Sequence, residues 1–200
     1  YSYKDKIATV SIDGDYVYNL WNDETAVQGI YRRMKLADFV NNGTDWEVLI
    51  DLDQLSKAEN EKWVFHGYIL NDSNTRALVF LSPGGSDAHV MREFDTSTKF
   101  FVENGFSFPL SKGHAQWLSD DQIFLYRQFD EASVTTSGYA RTVRLWTRGT
   151  DINLALTIFE VNKEDMSCYA KKIDSGDKIY HIVGRVIDFY NYVEWIYENG

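Results

Sequence analysis

A short segment around Ser86 comes close to a pattern that hydrolases use to hold a nucleophilic serine. Residues 76–93 read RALVFLSPGGSDAHVMRE, and GGSDA differs from Gly-x-Ser-x-Gly at Ala88. The pattern requires a strand, a tight turn with small residues on both sides of the serine, and then a helix. Here HVMRE continues as an apolar and basic strand. We therefore predict a β-hairpin with Gly84 and Gly85 in its turn, and no nucleophile.

The other residues whose types could do chemistry do not form a motif. The four histidines are scattered with no His-x-x-x-His spacing, which argues against a metal site; they are His66, His89, His114 and His181. His89 is too close in sequence to Ser86 to act as its base. The acidic pairs do not continue into calcium-binding loops; they are Asp13/Asp15, Asp51/Asp53 and Asp120/Asp121. We predict no catalytic residue, no metal ligand and no cofactor in this chain.

Composition narrows the class of protein. The 200 residues carry a net charge of −10, which disfavours binding to nucleic acid through phosphate contacts. No run of 18 apolar residues is present, so we expect no membrane span. The single cysteine, Cys168, excludes an internal disulfide, and its apolar neighbours predict a buried thiol. We expect a cytoplasmic protein on this weak indication, with a secreted or periplasmic location left open.

The chain is rich in aromatic residues, and it repeats. It contains 6 Trp, 13 Tyr and 12 Phe but only 2 Pro, a balance that favours β-sheet. Polar turns followed by apolar runs and a second strand recur about 50 residues apart, as in propeller blades. The predicted units are 7–55, 62–103, 108–162 and 166–200, the last incomplete. A solenoid is the rival architecture, but its periods are shorter and its strands do not form hairpin pairs.

The residues of one unit explain why it would form a blade. The continuous apolar run RALVFLS predicts a strand that is covered on both faces. Asp-Gly-Asp at 13–15, Asp-Ser-Asn at 72–74 and Ser-Gly-Asp at 175–177 are turn sequences that connect antiparallel strands. The runs EVLID and ALTIFEV then predict the outer strands that close two units. We predict an all-β fold, a partial β-propeller of about three to four four-stranded antiparallel blades.

Several segments resemble one protein family. The segments are DGDYVYNLWND, GIYRRMKLADF, WEVLIDLDQLS, LSPGGSDAHVMREFD and TTSGYARTVRLWTRGT. They are similar to the amino-terminal blades of the prolyl oligopeptidase family of serine peptidases, most strongly between about residues 10 and 150. The resemblance implies a seven-bladed propeller that covers an α/β-hydrolase domain and admits only short peptides. It also implies that the Ser, His and Asp of the triad belong to that hydrolase domain, whose motifs are absent here.

The resemblance suggests a function for this chain, in which we predict no catalytic residue. We expect the chain to be the propeller portion of such a peptidase, with peptide substrate and the hydrolase domain as its partners. The alternative is a free-standing propeller that binds proteins or glycans, and a closing blade that pairs the two termini would identify it. A chain that is itself a hydrolase has only Ser86 to support it.

Two segments are candidates for contact with substrate or with the hydrolase domain. Lys112 and His114 begin the third unit, where the resemblance places a first strand facing the central channel. Tyr139 and Arg141 belong to a long polar loop, and long loops on a rigid scaffold often carry binding groups. The rival interpretation is that Tyr139 and Arg141 only stabilise their own loop.

The fourth predicted unit breaks off at Gly200, which leads to an expectation about assembly. A partial propeller exposes the flank of a blade and its unpaired backbone groups. We therefore expect self-association through the flank of the last blade.

Overall fold

Polar turns and apolar runs of the sequence form an almost entirely β structure. The computed structural model describes residues 9–198. The strands there are β1 (Ser11–Asp13), β2 (Tyr16–Trp21), β3 (Ile30–Lys35), β4 (Glu47–Asp51), β5 (Trp63–Leu70), β6 (Arg76–Pro83), β7 (His89–Asp95), β8 (Phe100–Phe101), β9 (Ser107–Ser111), β10 (Gly113–Ser119), β11 (Gln122–Arg127), β12 (Thr142–Thr147), β13 (Leu156–Glu160), β14 (Ser167–Asp174), β15 (Ile179–Val186) and β16 (Tyr192–Ile196). Two short helices, α1 (Leu36–Val40) and α2 (Leu52–Glu59), flank β4.

The strands form four antiparallel sheets in chain order, which we name blades 1 to 4. Blade 1 has the order β1-β2-β3-β4, blade 2 β5-β6-β7-β8, blade 3 β10-β11-β12-β13 and blade 4 β14-β15-β16. Within each of these four orders, every strand pairs with its neighbour in sequence, as in a meander. The prediction of a partial propeller with three to four blades is confirmed.

The strand β9 belongs to blade 2 although the repeat pattern assigned it to the next unit. Ser107–Ser111 pairs with β7, and Met91 lies opposite Phe108. The predicted boundary at 108 therefore falls inside a strand of blade 2, and the sheet of blade 3 begins at Gly113. The predicted ends of the first and last units, at 7 and at 200, lie outside the described residues.

Turn residues confirm the hairpins that the sequence predicts. Gly14, Asn74 and Gly176 have φ of 56°, 57° and 85°, in the left-handed region that Gly and Asn adopt at low cost. Gly84 and Gly85 also have positive φ, and they turn the chain between β6 and β7. The segment around Ser86 is therefore a hairpin connection, without a helix after the serine.

The central strands are apolar because each is covered on both faces. In β6, Ala77, Val79 and Leu81 pack toward blade 1, whereas Leu78 and Phe80 pack toward blade 3. All five side chains are buried. A strand with both faces buried has a continuous apolar sequence instead of an alternating one.

Blade 3 repeats this arrangement, and the helices complete the first interface. Ile123 and Leu125 of β11 pack toward blade 2, and Phe124 between them packs toward blade 4. Helix α2 begins after Asp51, whose side chain accepts a hydrogen bond of 2.9 Å from the Gln54 backbone. Its first residue, Leu52, is buried between blades 1 and 2. The cores are thus the three interfaces between successive blades.

A buried ion pair joins blades 2 and 3. The Glu93 carboxylate on β7 is 1% exposed and accepts hydrogen bonds of 2.9 and 3.0 Å from the guanidinium of Arg148, which follows β12. It also accepts a hydrogen bond of 2.8 Å from the Phe106 backbone amide. The hydrogen bond to Glu93 raises the pKa of Arg148. A buried carboxylate with these partners fixes how the two blades face each other.

Replacing Glu93 by glutamine should therefore weaken the fold. In Glu93→Gln, Arg148 loses its buried counter-charge and keeps only the exposed carboxylate of Asp121, and one donor loses an acceptor. We therefore expect the free energy of unfolding to fall by about 3 kcal/mol. Urea unfolding measures this change. The control is Glu160→Gln, because the exposed Glu160 carboxylate pairs with Arg141 at the surface, and this change should cost at most about 1 kcal/mol. Equal losses in the two variants would contradict the role of the buried pair.

Candidate functional site

The first strands of all four blades line one cavity, which we name the channel cavity. Its volume is about 400 Å³, and its walls come from β1, β5, β10 and β14. The residues that line it are Ser11, Asp13, Tyr68, Ile69, Leu70, Gln116 and Lys172. Because each blade contributes at least one side chain, the cavity exists only when the blades are assembled.

Polar groups in the channel cavity are held in place by hydrogen bonds. The Tyr68 hydroxyl lies 2.5 Å from Ser11 Oγ and 3.3 Å from a carboxylate oxygen of Asp13. Lys172 Nζ donates to the Asp72 carboxylate at 2.5 Å. Burial raises the pKa of Tyr68 to about 12, so this phenol is a hydrogen-bond donor at neutral pH. The cavity offers a carboxylate, a phenol and an ammonium group, which can bind the polar groups of a peptide.

The structure places Lys112 and His114 at the start of the first strand of blade 3. The Lys112 backbone carbonyl accepts a hydrogen bond of 3.0 Å from the Gln128 amide, and its Nζ lies 4.0 Å from Asp87. The His114 ring packs 3.9 Å from the Phe80 ring. Burial lowers the pKa of His114. Contact of these two residues with substrate or with another domain stays a prediction.

Tyr139 and Arg141 lie in the loop between β11 and β12. Arg141 Nε donates to the Val161 carbonyl and Nη1 to the Ala132 carbonyl, both at 3.0 Å, and Arg141 pairs with Glu160. These bonds hold the loop against the outer strand of its own blade. Tyr139 is 52% exposed, so its ring is accessible. A substrate contact by either residue stays a prediction.

Three histidines that are far apart in sequence meet between blades 2 and 3. The His89 ring stacks on His66 at 4.9 Å between centroids and meets the His114 ring edge at 5.6 Å. His89 is 3% exposed, and neither of its ring nitrogens makes a hydrogen bond. Burial lowers the pKa of His89 to about 4, and the neighbouring His114 and His66 add to this effect. The even scatter of histidines along the sequence gave no sign of this cluster.

The other sequence candidates have structural roles. Ser86 Oγ donates to the Ala88 carbonyl at 3.0 Å, and the unbonded His89 ring does not act as its base. Cys168 is buried, and this burial raises its pKa to about 12. Within residues 9–198, no group of three or more His, Cys, Asp or Glu side chains could hold a metal ion. In the same residues, no helix is long and apolar enough to cross a membrane.

Four meander sheets around a cavity lined by their first strands define a β-propeller domain. The family model of the prolyl oligopeptidase N-terminal β-propeller domain matches residues 2–188, so the chain belongs to this family. An uncharacterized peptidase of Sinorhizobium fredii, y4nA, is 36% identical over 201 residues, which cover 98% of this chain and 28% of that protein. The chain therefore spans just over a quarter of the length of this relative.

Solved structures agree with this assignment. A post-proline cleaving enzyme from Rickettsia typhi matches with a TM-score of 0.87 and 32% identity, over 98% of this chain and 31% of that one. Oligopeptidase B from Leishmania major matches with a TM-score of 0.65 and 14% identity, over 89% of this chain and 24% of that one. At that identity, the second match shows a shared fold alone.

The histidine cluster predicts how stability depends on pH. The pKa of His89 is about 4 in the fold and about 6.5 in the unfolded chain, so between these values the unfolded chain binds more protons. The contribution of the neutral His89 ring to the free energy of unfolding is therefore fully present above pH 6.5, and it is lost as the pH drops toward 4. We expect a slope that approaches 1.4 kcal/mol per pH unit from this residue, measured by urea unfolding from pH 7.5 to 4.5.

The variant His89→Phe serves as the control for this dependence, because it keeps an aromatic ring and removes the titrating group. Its slope between pH 6.5 and 4.5 should be smaller than that of the parent chain. An unchanged slope would show that other groups, such as His114, account for the acid sensitivity.

Proposed function

We propose that the chain is the non-catalytic propeller portion of a prolyl-oligopeptidase-like serine peptidase. Its role is to admit short peptides and to position them for a hydrolase domain in another part of a longer protein. The observation that carries the proposal is the channel cavity, to which all four blades contribute. Family membership and the small share of the relatives' length support it.

The chemistry of the cavity suits binding better than catalysis. Its carboxylate and its phenol contact each other, and its ammonium group is paired with Asp72. Ser11 Oγ lies 2.5 Å from the Tyr68 hydroxyl, but the pKa of Tyr68 is raised to about 12 by burial, so this phenol stays protonated and cannot act as the base that acyl transfer requires. We propose that the reaction of the longer protein is hydrolysis of a peptide bond by Ser, His and Asp of its hydrolase domain. The post-proline cleaving relative supports cleavage near proline.

The proposal also includes the four residues that the sequence suggested for contact with the peptide or the hydrolase domain. Lys112 and His114 begin a first strand, and the accessible ring of Tyr139 lies on a loop that Arg141 anchors. We propose that they contact the peptide or the hydrolase domain. A cytoplasmic location, which rests on the lone buried cysteine, is also proposed.

A peptidase assay tests the proposal directly. We expect a chromogenic Xaa-Pro substrate to be cleaved by the longer protein and not by the 200-residue chain. Ser86→Ala should leave kcat/KM of the longer protein within about 2-fold, because Ser86 only closes a hairpin. If the chain itself cleaves the substrate and loses that activity with Ser86→Ala, the proposal is wrong.

The same assay also tests whether the longer protein admits only short peptides. The longer protein should cleave the Xaa-Pro sequence in a short peptide and leave the identical sequence intact in a surface loop of a folded protein. A matched substrate is the same loop excised as a free peptide. Equal rates on the folded and excised forms would argue for cleavage without a gate.

Self-association of the isolated chain is a further prediction. Among residues 9–198, β16 pairs only with β15, and the exposed side chains on this strand include Tyr192, Trp195 and Ile196. An apolar strand with a free edge tends to pair with a second copy. Light scattering should show an average mass that rises with concentration, and Trp195→Lys should reduce this rise. A stable monomer at high concentration would contradict the prediction.

A further inference from the structure

A buried amide in the wall of the channel cavity lacks a proper partner. Gln116 lines this cavity and is 8% exposed. Its Nε2 lies 3.5 Å from the Trp117 carbonyl oxygen, which is longer than an ordinary hydrogen bond of about 2.9 Å. Its Oε1 accepts no hydrogen bond within residues 9–198 yet retains solvent-accessible surface. The amide of Gln116 therefore faces the open space of the cavity.

The fold does not require a polar residue at this position. Ala115 and Trp117, the neighbours of Gln116 on β10, pack toward blade 2. Gln116 pairs with Phe124 on β11, whose ring packs toward blade 4, and residues paired in this way share one face of a sheet. Leucine or methionine would fill a similar volume there without the cost of a poorly paired amide. The amide is therefore better explained by a ligand than by packing.

The strand that carries Gln116 is held in place from blade 2. The Trp117 indole nitrogen donates a hydrogen bond of 2.9 Å to the Ile69 carbonyl on β5. The Trp117 side chain is 2% exposed, and Ile69 lines the channel cavity as well. This bond joins the first strands of blades 2 and 3, so it limits how far β10 can move relative to β5. The amide thus faces the cavity from a fixed strand.

The wall of the same cavity also carries an unbalanced negative charge. Lys172 Nζ is paired with the Asp72 carboxylate at 2.5 Å. Asp13, which lines the cavity, forms no ion pair within residues 9–198, and the hydrogen bond that its side chain accepts there comes from the neutral Tyr68 hydroxyl at 3.3 Å. The Asp13 carboxylate is half-buried. A positively charged group of a ligand would complement it.

These two groups together indicate a class of ligand. A primary amide presents a donor and an acceptor side by side, which match the carbonyl and N–H groups of a peptide backbone. A carboxylate accepts hydrogen bonds from an ammonium group and balances its charge. Short peptides with an ammonium group carry both features in one molecule. The cavity volume of about 400 Å³ lies within the range of small-ligand sites, about 300 to 1,000 Å³.

We propose that Gln116 and Asp13 dock a short peptide in the channel cavity. The Gln116 amide bonds to the peptide backbone, and the Asp13 carboxylate holds an ammonium group of the peptide. This group is the free amino terminus or a lysine side chain, which share the same chemistry. The inference rests on the proposed function and extends it by naming two specificity-determining residues and the peptide class. Its test uses binding instead of cleavage, so that the two proposals fail separately.

The probe is the tripeptide amide Ala-Gly-Pro-NH2, titrated into the isotope-labelled 200-residue chain and followed by NMR shifts. We expect saturable binding that weakens at least about 5-fold for the N-acetylated probe, which lacks the charge. A third peptide, Ac-Lys-Gly-Pro-NH2, identifies the source of the ammonium group. It should bind like the probe if a side chain reaches Asp13, and like the acetylated form if the amino terminus is required. Absence of binding at millimolar peptide, or equal binding of the probe and its acetylated form, would overturn the proposal.

Variants of Gln116 identify the place of binding. Gln116→Leu removes a poorly paired amide, so the melting temperature should stay the same or rise, whereas the Kd of the probe should increase about 5-fold. The side-chain NH2 signals that disappear in this variant belong to Gln116, and in the parent chain they should shift when the probe binds. Gln116→Met repeats the test with an unbranched side chain. The matched control is Gln128→Leu, because Gln128 is exposed and does not line the cavity. An unchanged Kd in both Gln116 variants would overturn the proposal.

A variant of Asp13 tests the charge. Asp13→Asn keeps an oxygen acceptor for Tyr68 and removes the charge, so the affinity of the probe should fall to that of its acetylated form. The affinity of the acetylated form should change less than about 2-fold. The matched control is Asp15→Asn, because Asp15 lies exposed on the same turn and removes the same charge. If both variants weaken the probe equally, the general field of the chain attracts it and the proposed contact with Asp13 is wrong.

The same variants in the longer protein separate the two proposals. There, Gln116→Leu should raise KM for Ala-Gly-Pro substrates by a similar factor with kcat nearly unchanged, as expected for loss of uniform binding. If the 200-residue chain binds the probe with this selectivity but the longer protein cleaves no peptide, the docking role of Gln116 and Asp13 stands and the proposed function fails. If the longer protein cleaves the peptides with the same KM in both forms, the proposed function stands and the docking role fails.

Discussion

Burial of both faces of each central strand is the constraint on which this structure depends. Alternate residues of β6 pack toward blade 1 and toward blade 3, and β11 divides its residues between blades 2 and 4 in the same way. Such a strand is stable only when a blade covers each face. The blades must therefore follow one another in space as they do in sequence. Their first strands then meet around a shared cavity, which no single blade forms alone.

Because of this constraint, each polar group inside an interface needs a hydrogen-bond partner. Glu93 has such partners, because Arg148 donates to it across the interface between blades 2 and 3 and the Phe106 amide donates to it within blade 2. The ring nitrogens of His89 have no hydrogen-bond partner. This ring is enclosed by aromatic rings. A histidine enclosed in this way makes the fold sensitive to acid.

Sequence alone predicts the blades because their signals are local. The apolar run of β6 and the left-handed turn at Gly14 depend on neighbouring residues, and so does the hairpin at Ser86. The histidine cluster could not be predicted, since His66 and His89 meet only when β5, β6 and β7 pair, and His114 joins them only when blade 3 packs on blade 2. The pairing of β9 with β7 depends in the same way on contacts between residues that are not neighbours in sequence. Resemblance to a family supplied the expected role, while the candidate residues Lys112, His114, Tyr139 and Arg141 do not line the channel cavity.

The division of a site among four blades suits positioning better than bond cleavage. Catalysis needs reacting groups held within about 0.5 Å of one geometry, usually by a rigid local framework. In the channel cavity, Asp13, Tyr68 and Lys172 come from three different blades, so a small shift of one blade changes the distances between them. Binding tolerates such shifts because a peptide can adjust its own torsions. This division of the channel cavity among blades supports the proposed role, in which the first strands orient a peptide and the proposed hydrolase domain performs the chemistry.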